Sequence, residues 1–292
     1  MTTGAAPSVG GQGVLGEKAA PVKPYGTGAV EVMEWIAFIF GLVVGSFLNV
    51  CIHRLPASRS IVRPRSQCPT CGHPVRAFDN IPVLSYLLLR GRCRDCGTRI
   101  PLRYPIVEIV SGMFAAITVT RFGFGWQALL VYALIAAFLV ITFIDLDHRI
   151  IPDAITLPGI PLGLAASFLM PAANLNQPGW ISPSESLIGI LAGGGSLFLV
   201  AWGYQLLTRR EGMGGGDIKL LAMIGAFVGW KGVLFTIFIA SFTGTLTGLA
   251  LIFRRQGDMK LAVPFGPFLA VGAIAYLFMG PELWSWYIAA MR

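Results

Sequence analysis

The apolar runs of this chain limit its fold more than any other feature. Eight stretches, near 33–53, 104–120, 126–144, 154–170, 187–207, 218–230, 233–253 and 264–280, are almost free of charge and strongly apolar. About 20 such residues in a helix satisfy their own backbone polar groups and cross the hydrocarbon core of a bilayer. The sixth run is short and contains glycine, and the closing 281–291 stretch is too short and interrupted to count as a span. Composition supports the same reading, with 55% hydrophobic and only 12% charged residues, where soluble domains carry about 25% charge. The expected fold is therefore an all-α integral membrane protein of about eight transmembrane helices. Residues 1–32 have no apolar core of a secretory signal and are expected to form a disordered tail. Met33 stands directly before the first span and could itself start translation. The division that follows is tail 1–32, first transmembrane helix 33–53, polar loop domain 54–103 and transmembrane core 104–292.

The net charge of +8 is concentrated in one place. Between Arg54 and Arg103 lie ten arginines and two acids, Asp79 and Asp95, which account for all of it. A basic patch alone suggests nucleic acid or an anionic surface. In a chain of this hydropathy it reads instead as a cytoplasmic loop, because short connections rich in Lys and Arg stay inside. Alternation of the spans then puts Arg149, Arg209, Arg210, Arg254, Arg255 and Lys260 inside as well. Lys18, Lys23, Arg121, Lys231 and Arg292 fall outside, with the amino terminus. No nucleic-acid partner is expected, and the arginines are read as setting topology and gripping anionic membrane lipid. Nothing in the chain signals an oligomeric state.

Four of the five cysteines form two CxxC pairs in this loop, Cys68-Pro-Thr-Cys71 and Cys93-Arg-Asp-Cys96. Such pairs can set four thiolates around one zinc ion, and a closed sphere of four cysteines marks a structural zinc with no position left for water. Gly72 and Gly97 follow the second cysteine of each pair, where a tight turn favours glycine. Disulfides or a redox pair are the competing readings, disfavoured by a reducing cytosol. A loop of this size with little apolar content needs a staple. Cys51, in the first span, reads as a small buried hydrophobe.

Ionisable groups at membrane depth are functional candidates. Asp145 closes the third span within Phe143-Ile144-Asp145-Leu146-Asp147-His148, and Asp217 opens the sixth after Gly214-Gly215-Gly216. The third span runs inward and the sixth outward, so both carboxylates lie at the cytoplasmic face and can meet. Two carboxylates sharing one proton can activate water for attack on a peptide carbonyl, which is aspartyl protease chemistry. Bland readings stand beside this one. Asp217 could be the N-cap of its helix, or Asp145 could belong to an ion path. Asp153 reads as the cap of the fourth span and Asp147 as a solvated or arginine-paired neighbour; Lys219 reads as tuning the protonation of the aspartates or, favoured by its helix face, as snorkelling to the interface. Glu108 and Asn49 are the remaining polar groups at depth. They read as helix-pairing hydrogen-bonding groups or as contacts for a substrate amino terminus, Glu108 ahead of Asn49.

Gly45-Ser46-Phe47-Leu48-Asn49-Val50, the basic loop with its two CxxC pairs, Asp145 followed by Ile-Pro-Asp153, and Gly214-Gly215-Gly216-Asp217 with Lys219 resemble the type IV prepilin peptidases in order and spacing from about residue 33 to 280. The resemblance implies a GxGD-class aspartyl protease of the bacterial inner membrane. It would remove the basic leader of type IV prepilins and type II secretion pseudopilins at the cytoplasmic face. In bifunctional members the same protein methylates the new amino terminus with S-adenosylmethionine. Carried over, Asp145 and Asp217 match the catalytic aspartates, and Cys68, Cys71, Cys93 and Cys96 match the cysteines of the cytoplasmic domain. No Rossmann-type fingerprint marks a methyl-donor site, so the transferase expectation rests on resemblance. The alternative function is a zinc-binding membrane sensor or transporter that uses the aspartates as an ion path.

Overall fold

A computed structural model describes residues 27–169, 181–209, 214–254 and 263–290. Most of the expected tail lies outside the described residues, as do Lys18, Lys23, Arg210, Arg255, Lys260 and Arg292 from the charge count. The described residues are helical apart from the loop domain and short connections, and β-pairing among them is confined to two isolated bridges, Gln67 with Pro74 and Arg92 with Arg99.

Eight helices follow one another among the described residues: α1 Thr27–Arg54, the short α2 Leu84–Leu88, α3 Arg103–Phe122, α4 Trp126–His148, α5 Asp153–Leu169, α6 Pro183–Thr208, α7 Gly215–Arg254 and α8 Gly266–Ala290. Five of them are long and apolar enough to cross a membrane, and Asp153–Leu169 and Gly266–Gly280 are shorter apolar helices. The first helix begins six residues ahead of the first expected span. The sixth and seventh expected spans are the two halves of α7, divided at Gly229, whose φ of 70° and ψ of −179° are not helical. An L side chain rarely adopts that conformation, so a glycine is what permits the break.

The packing gives the direction of each half. Gly189 of α6 is pressed against the Gly225 backbone and Gly193 against Leu221, so α6 and the first half of α7 are antiparallel. In α8, Gly272 approaches Thr236 and Phe268 approaches Gly244, so α8 is antiparallel to the second half. Ile151 touches both Gly216 and Gly266, which puts the start of α7 and the start of α8 at the same end. The chain therefore turns back on itself at Gly229, as two separate spans require.

Helix α4 is the central element. Its residues Ile135, Phe138 and Ile141 are wholly buried with Leu220, Leu221 and Ile224 of α7 and Leu269 of α8. A second cluster joins its Ile144 and Val140 to Leu48 and Ile52 of α1 and Val107 of α3. The outer surface is apolar too, with Trp35, Ile39, Val43, Leu191, Phe198 and Leu199 exposed, as lipid contact demands. In lipid, close backbone approach and hydrogen bonds between helices replace much of the hydrophobic drive. Ser111 Oγ donates to the Gly41 carbonyl (2.8 Å) and lies 2.7 Å from the Tyr132 hydroxyl, tying α3, α1 and α4 together. Ser186 Oγ likewise donates to the Ala226 carbonyl at 2.8 Å.

Candidate active site and metal centre

Asp145 lies on the last full turn of α4 and is buried, next to the wholly buried Ile144. Its Oδ2 accepts a hydrogen bond from the Gly266 backbone N–H (3.0 Å), at the start of α8. A Cβ at Gly266 would stand 2.6 Å from that oxygen, so only glycine fits there without displacing the carboxylate. Helix N-termini present unsatisfied N–H groups and favour negative charge. The sequence carries a signal for this contact that a search for acids passes over. Phe265-Gly266-Pro267 places a proline just inside a helix start, a position it favours.

Asp217 lies in the first turn of α7, half-buried. The helix begins at Gly215, so Asp217 is inside it and does not occupy the capping position the sequence allows. The Ile151 side chain stands against Gly216, the chain neighbour of Asp217, and against Gly266, whose N–H holds Asp145, so the two aspartates lie at the same end of the bundle.

The surrounding polar residues are engaged elsewhere. Arg103 pairs with Asp147, donates to the Phe143 carbonyl (3.1 Å) and lies over the Phe143 ring at 4.9 Å. Asp147 is thus an arginine-paired neighbour, and this contact joins the start of α3, where the loop domain returns, to the end of α4. Lys219 Nζ donates to both oxygens of Asp153 at 2.8 Å. That replaces two sequence readings, since Asp153 is engaged by a lysine and not by its own helix backbone, and Lys219 is in an ion pair and not merely snorkelling. Asn49 donates to the Tyr104 carbonyl (3.1 Å), a link between α1 and α3. Cys51 is buried, as its place in the first span implies.

In the loop domain the two CxxC pairs form matching turns. Cys68 N–H donates to the His73 carbonyl and Gly72 N–H to the Cys68 carbonyl, both at 2.9 Å. Cys93 and Thr98 (2.8 Å), and Gly97 and Cys93 (3.0 Å), repeat the pattern. Gly72 and Gly97 have φ of 71° and 69°, the left-handed turn expected of them. Cys68, Cys71, Cys93 and Cys96 bring their sulfurs within 4.8 Å of one another, a group able to hold a metal ion. The Cys71 and Thr70 N–H groups point at Cys68 and lower its pKa to about 6. The Thr98 N–H favours the Cys96 thiolate, but desolvation and its bonds to the other three sulfurs push that thiol up to about 12. Around the cluster, Arg94 grips Asp79 through Nε and Nη2 (2.6–3.1 Å) and Arg76 reaches Asp95 at 3.4 Å. The arginine beside Asp79 holds its carboxyl below the usual range.

Taken together, the fold defines a polytopic membrane protein that carries a carboxylate pair and a four-cysteine cluster at one end of its helix bundle. The chain belongs to the type IV leader peptidase family: the family model of that description matches residues 132–249, and one described as the bacterial peptidase A24 N-terminal domain matches residues 39–122. Among its relatives is the prepilin leader peptidase/N-methyltransferase of Aeromonas hydrophila, 36% identical over 277 residues, covering 87% of this chain and 93% of the relative. The proteins of that name from Pseudomonas aeruginosa (37% over 273 residues; 86% and 91%) and Burkholderia pseudomallei strain K96243 (39% over 269; 84% of each) are similarly related. No solved structure matches the chain.

Proposed function

We propose that the protein is a prepilin leader peptidase and N-methyltransferase whose peptidase centre is the Asp145–Asp217 pair. The observation that carries this reading is that Ile151 bridges Gly216, beside Asp217, and Gly266, which holds Asp145, so aspartates from distant helices share the end of the bundle from which the loop domain hangs. One carboxylate acts as general base on a water that attacks the scissile carbonyl, and the other protonates the departing amine. The Gly266 N–H orients Asp145 for that work. A substrate whose apolar helix stays in the bilayer presents its scissile bond at this depth, and its basic leader lies along the anionic inner leaflet. The loop domain and both aspartates accordingly face the cytoplasm in the inner membrane.

The four cysteines hold a structural zinc ion. Sulfurs at the Zn–S length of about 2.3 Å form a tetrahedron with edges of about 3.8 Å, and Cys68 and Cys96 are 3.8 Å apart. Three of the ten loop arginines are spent on acids, Arg76, Arg94 and Arg103, and Arg54 is spent on the Ser60 and Pro64 carbonyls. Arg63, Arg65, Arg90 and Arg92 are available to anionic headgroups, and Leu84, Leu87 and Leu88 of the same loop domain are exposed. The substrates are type IV prepilins and pseudopilins, and the methyl donor is S-adenosylmethionine. Purified protein with a prepilin-like peptide should release the leader and methylate the product, whereas Asp145→Asn and Asp217→Asn should release none. Full cleavage by either variant would end the assignment.

A further inference from the structure

Between the cysteine turns and the loop-domain ends of α1 and α3 lies a cavity of about 660 Å³, lined among others by Ser46, Arg59, Tyr86, Arg99, Tyr104 and Glu108. That volume falls in the range of small-molecule sites, about 300–1,000 Å³. Glu108 forms its membrane-side wall. The side chain is buried at 8% exposure, accepts from the Val83 N–H at 2.7 Å, and has the Ser46 hydroxyl beside it. Among the described residues no cationic side chain pairs with it. Burying a carboxylate without a cation is costly, so a positively charged ligand in the cavity would complement this wall. Away from it, Arg59 and Arg99 have no ion-pair partner among the described residues and suit a carboxylate. Tyr86 and Tyr104 offer rings to a flat base.

The helix that carries Glu108 also packs against the helix that carries Asp145. Val107 and Ile144 share one buried cluster, so their chain neighbours Glu108 and Asp145 sit on directly packed helices, which lie about 8–10 Å apart axis to axis.

Resting on the peptidase and methyltransferase reading above, we propose that this cavity is the methyl-transfer site and that Glu108 receives the new amino terminus of the cleaved pilin. S-adenosylmethionine fills the cavity with its carboxylate toward Arg59 and Arg99. The pilin ammonium docks on Glu108 and gives it one proton. The freed nitrogen lone pair attacks the sulfonium methyl, an N–C bond forms, and the S–C bond breaks with its electron pair passing to sulfur. The products are S-adenosylhomocysteine, a methylated ammonium and one proton, which Glu108 passes to water in the cavity.

The test uses the full-length zinc-loaded protein in nanodiscs. Calorimetry with S-adenosylhomocysteine should give one site, weakened about tenfold by Arg59→Ala or Arg99→Ala. Glu108→Gln should keep leader cleavage and S-adenosylhomocysteine binding while lowering methylation about a hundredfold or more. Its mass spectrum would then show the mature peptide without the added methyl group. Wild-type methylation left intact in Glu108→Gln, or loss of cleavage together with methylation, would overturn the role of Glu108. Unchanged binding in both arginine variants would overturn the cavity. Wild-type protein that neither binds the product nor methylates would overturn the transferase reading as well, with leader cleavage reporting separately on the peptidase.

Discussion

Asp145 and Asp147 are two residues apart and chemically alike, yet the fold treats them differently. Asp145 is buried against the Gly266 N–H, while Asp147 is partly exposed and paired with Arg103. Asp147→Asn should therefore leave most leader cleavage, whereas Asp145→Asn should lower it by about a hundredfold or more; initial rates on one peptide compare them. Gly266→Ala carries a sharper expectation, because the added methyl group would meet Asp145 Oδ2 at 2.6 Å. Relieving that contact moves the carboxylate by about 1 Å, a misplacement that costs about a hundredfold in rate, and cleavage should fall while thermal stability in detergent changes little. At this scale the sequence is informative about acids and silent about their partners. Asp145 and Asp217 stand out because charge is costly in a membrane. Gly266 does not, since what it contributes is a backbone N–H and the absence of a side chain.

The eight apolar runs fall on seven helices, α1 and α3 to α8, two of them on α7, because apolar length and composition mark a membrane helix. The break between the sixth and seventh runs is visible only as a thinning of hydropathy, and its place at Gly229 depends on a backbone conformation that spacing cannot show. Lys219 and Asp153 read as separate features in the sequence because the contact joins α7 to α5 across 66 residues of chain. Both partners are exposed enough for solvent to weaken the pair, so a double-mutant cycle with Lys219→Ala and Asp153→Asn should give a coupling of about 0.2–1 kcal/mol in stability. The cysteine turns are legible in full, because two CxxC-Gly units prescribe their own geometry. Thiolates are the zinc-binding form, so protons compete with the metal. Without metal the Cys68 thiol titrates at about 6, and bound zinc holds the thiolates to still lower pH, so zinc retention measured by metal analysis should be lost only as pH is taken below that value. Stripping the metal, or Cys68→Ser, should loosen residues 54–103 in hydrogen exchange and leave the helices protected.

For the whole molecule, the arginine-rich loop links topology to chemistry. The Arg103–Asp147 pair fixes the loop domain and the carboxylate pair at the same end of the bundle. At the opposite end Arg121 pairs with Glu282, and Lys231 lies 4.0 Å from Glu185. The surplus of arginines in the loop supports the proposed sidedness. A thiol at Phe124→Cys, in the α3–α4 connection, should be labelled by an impermeant maleimide in intact cells, and one at Ala57→Cys only after lysis. The central claim, that two aspartates on distant helices form one peptidase centre, is met most directly by cleavage of a prepilin-like peptide in proteoliposomes, read by mass spectrometry. The account requires leader release by the wild-type protein and none by Asp145→Asn or Asp217→Asn, each folded and inserted. Leader release at the wild-type rate by either variant would contradict it.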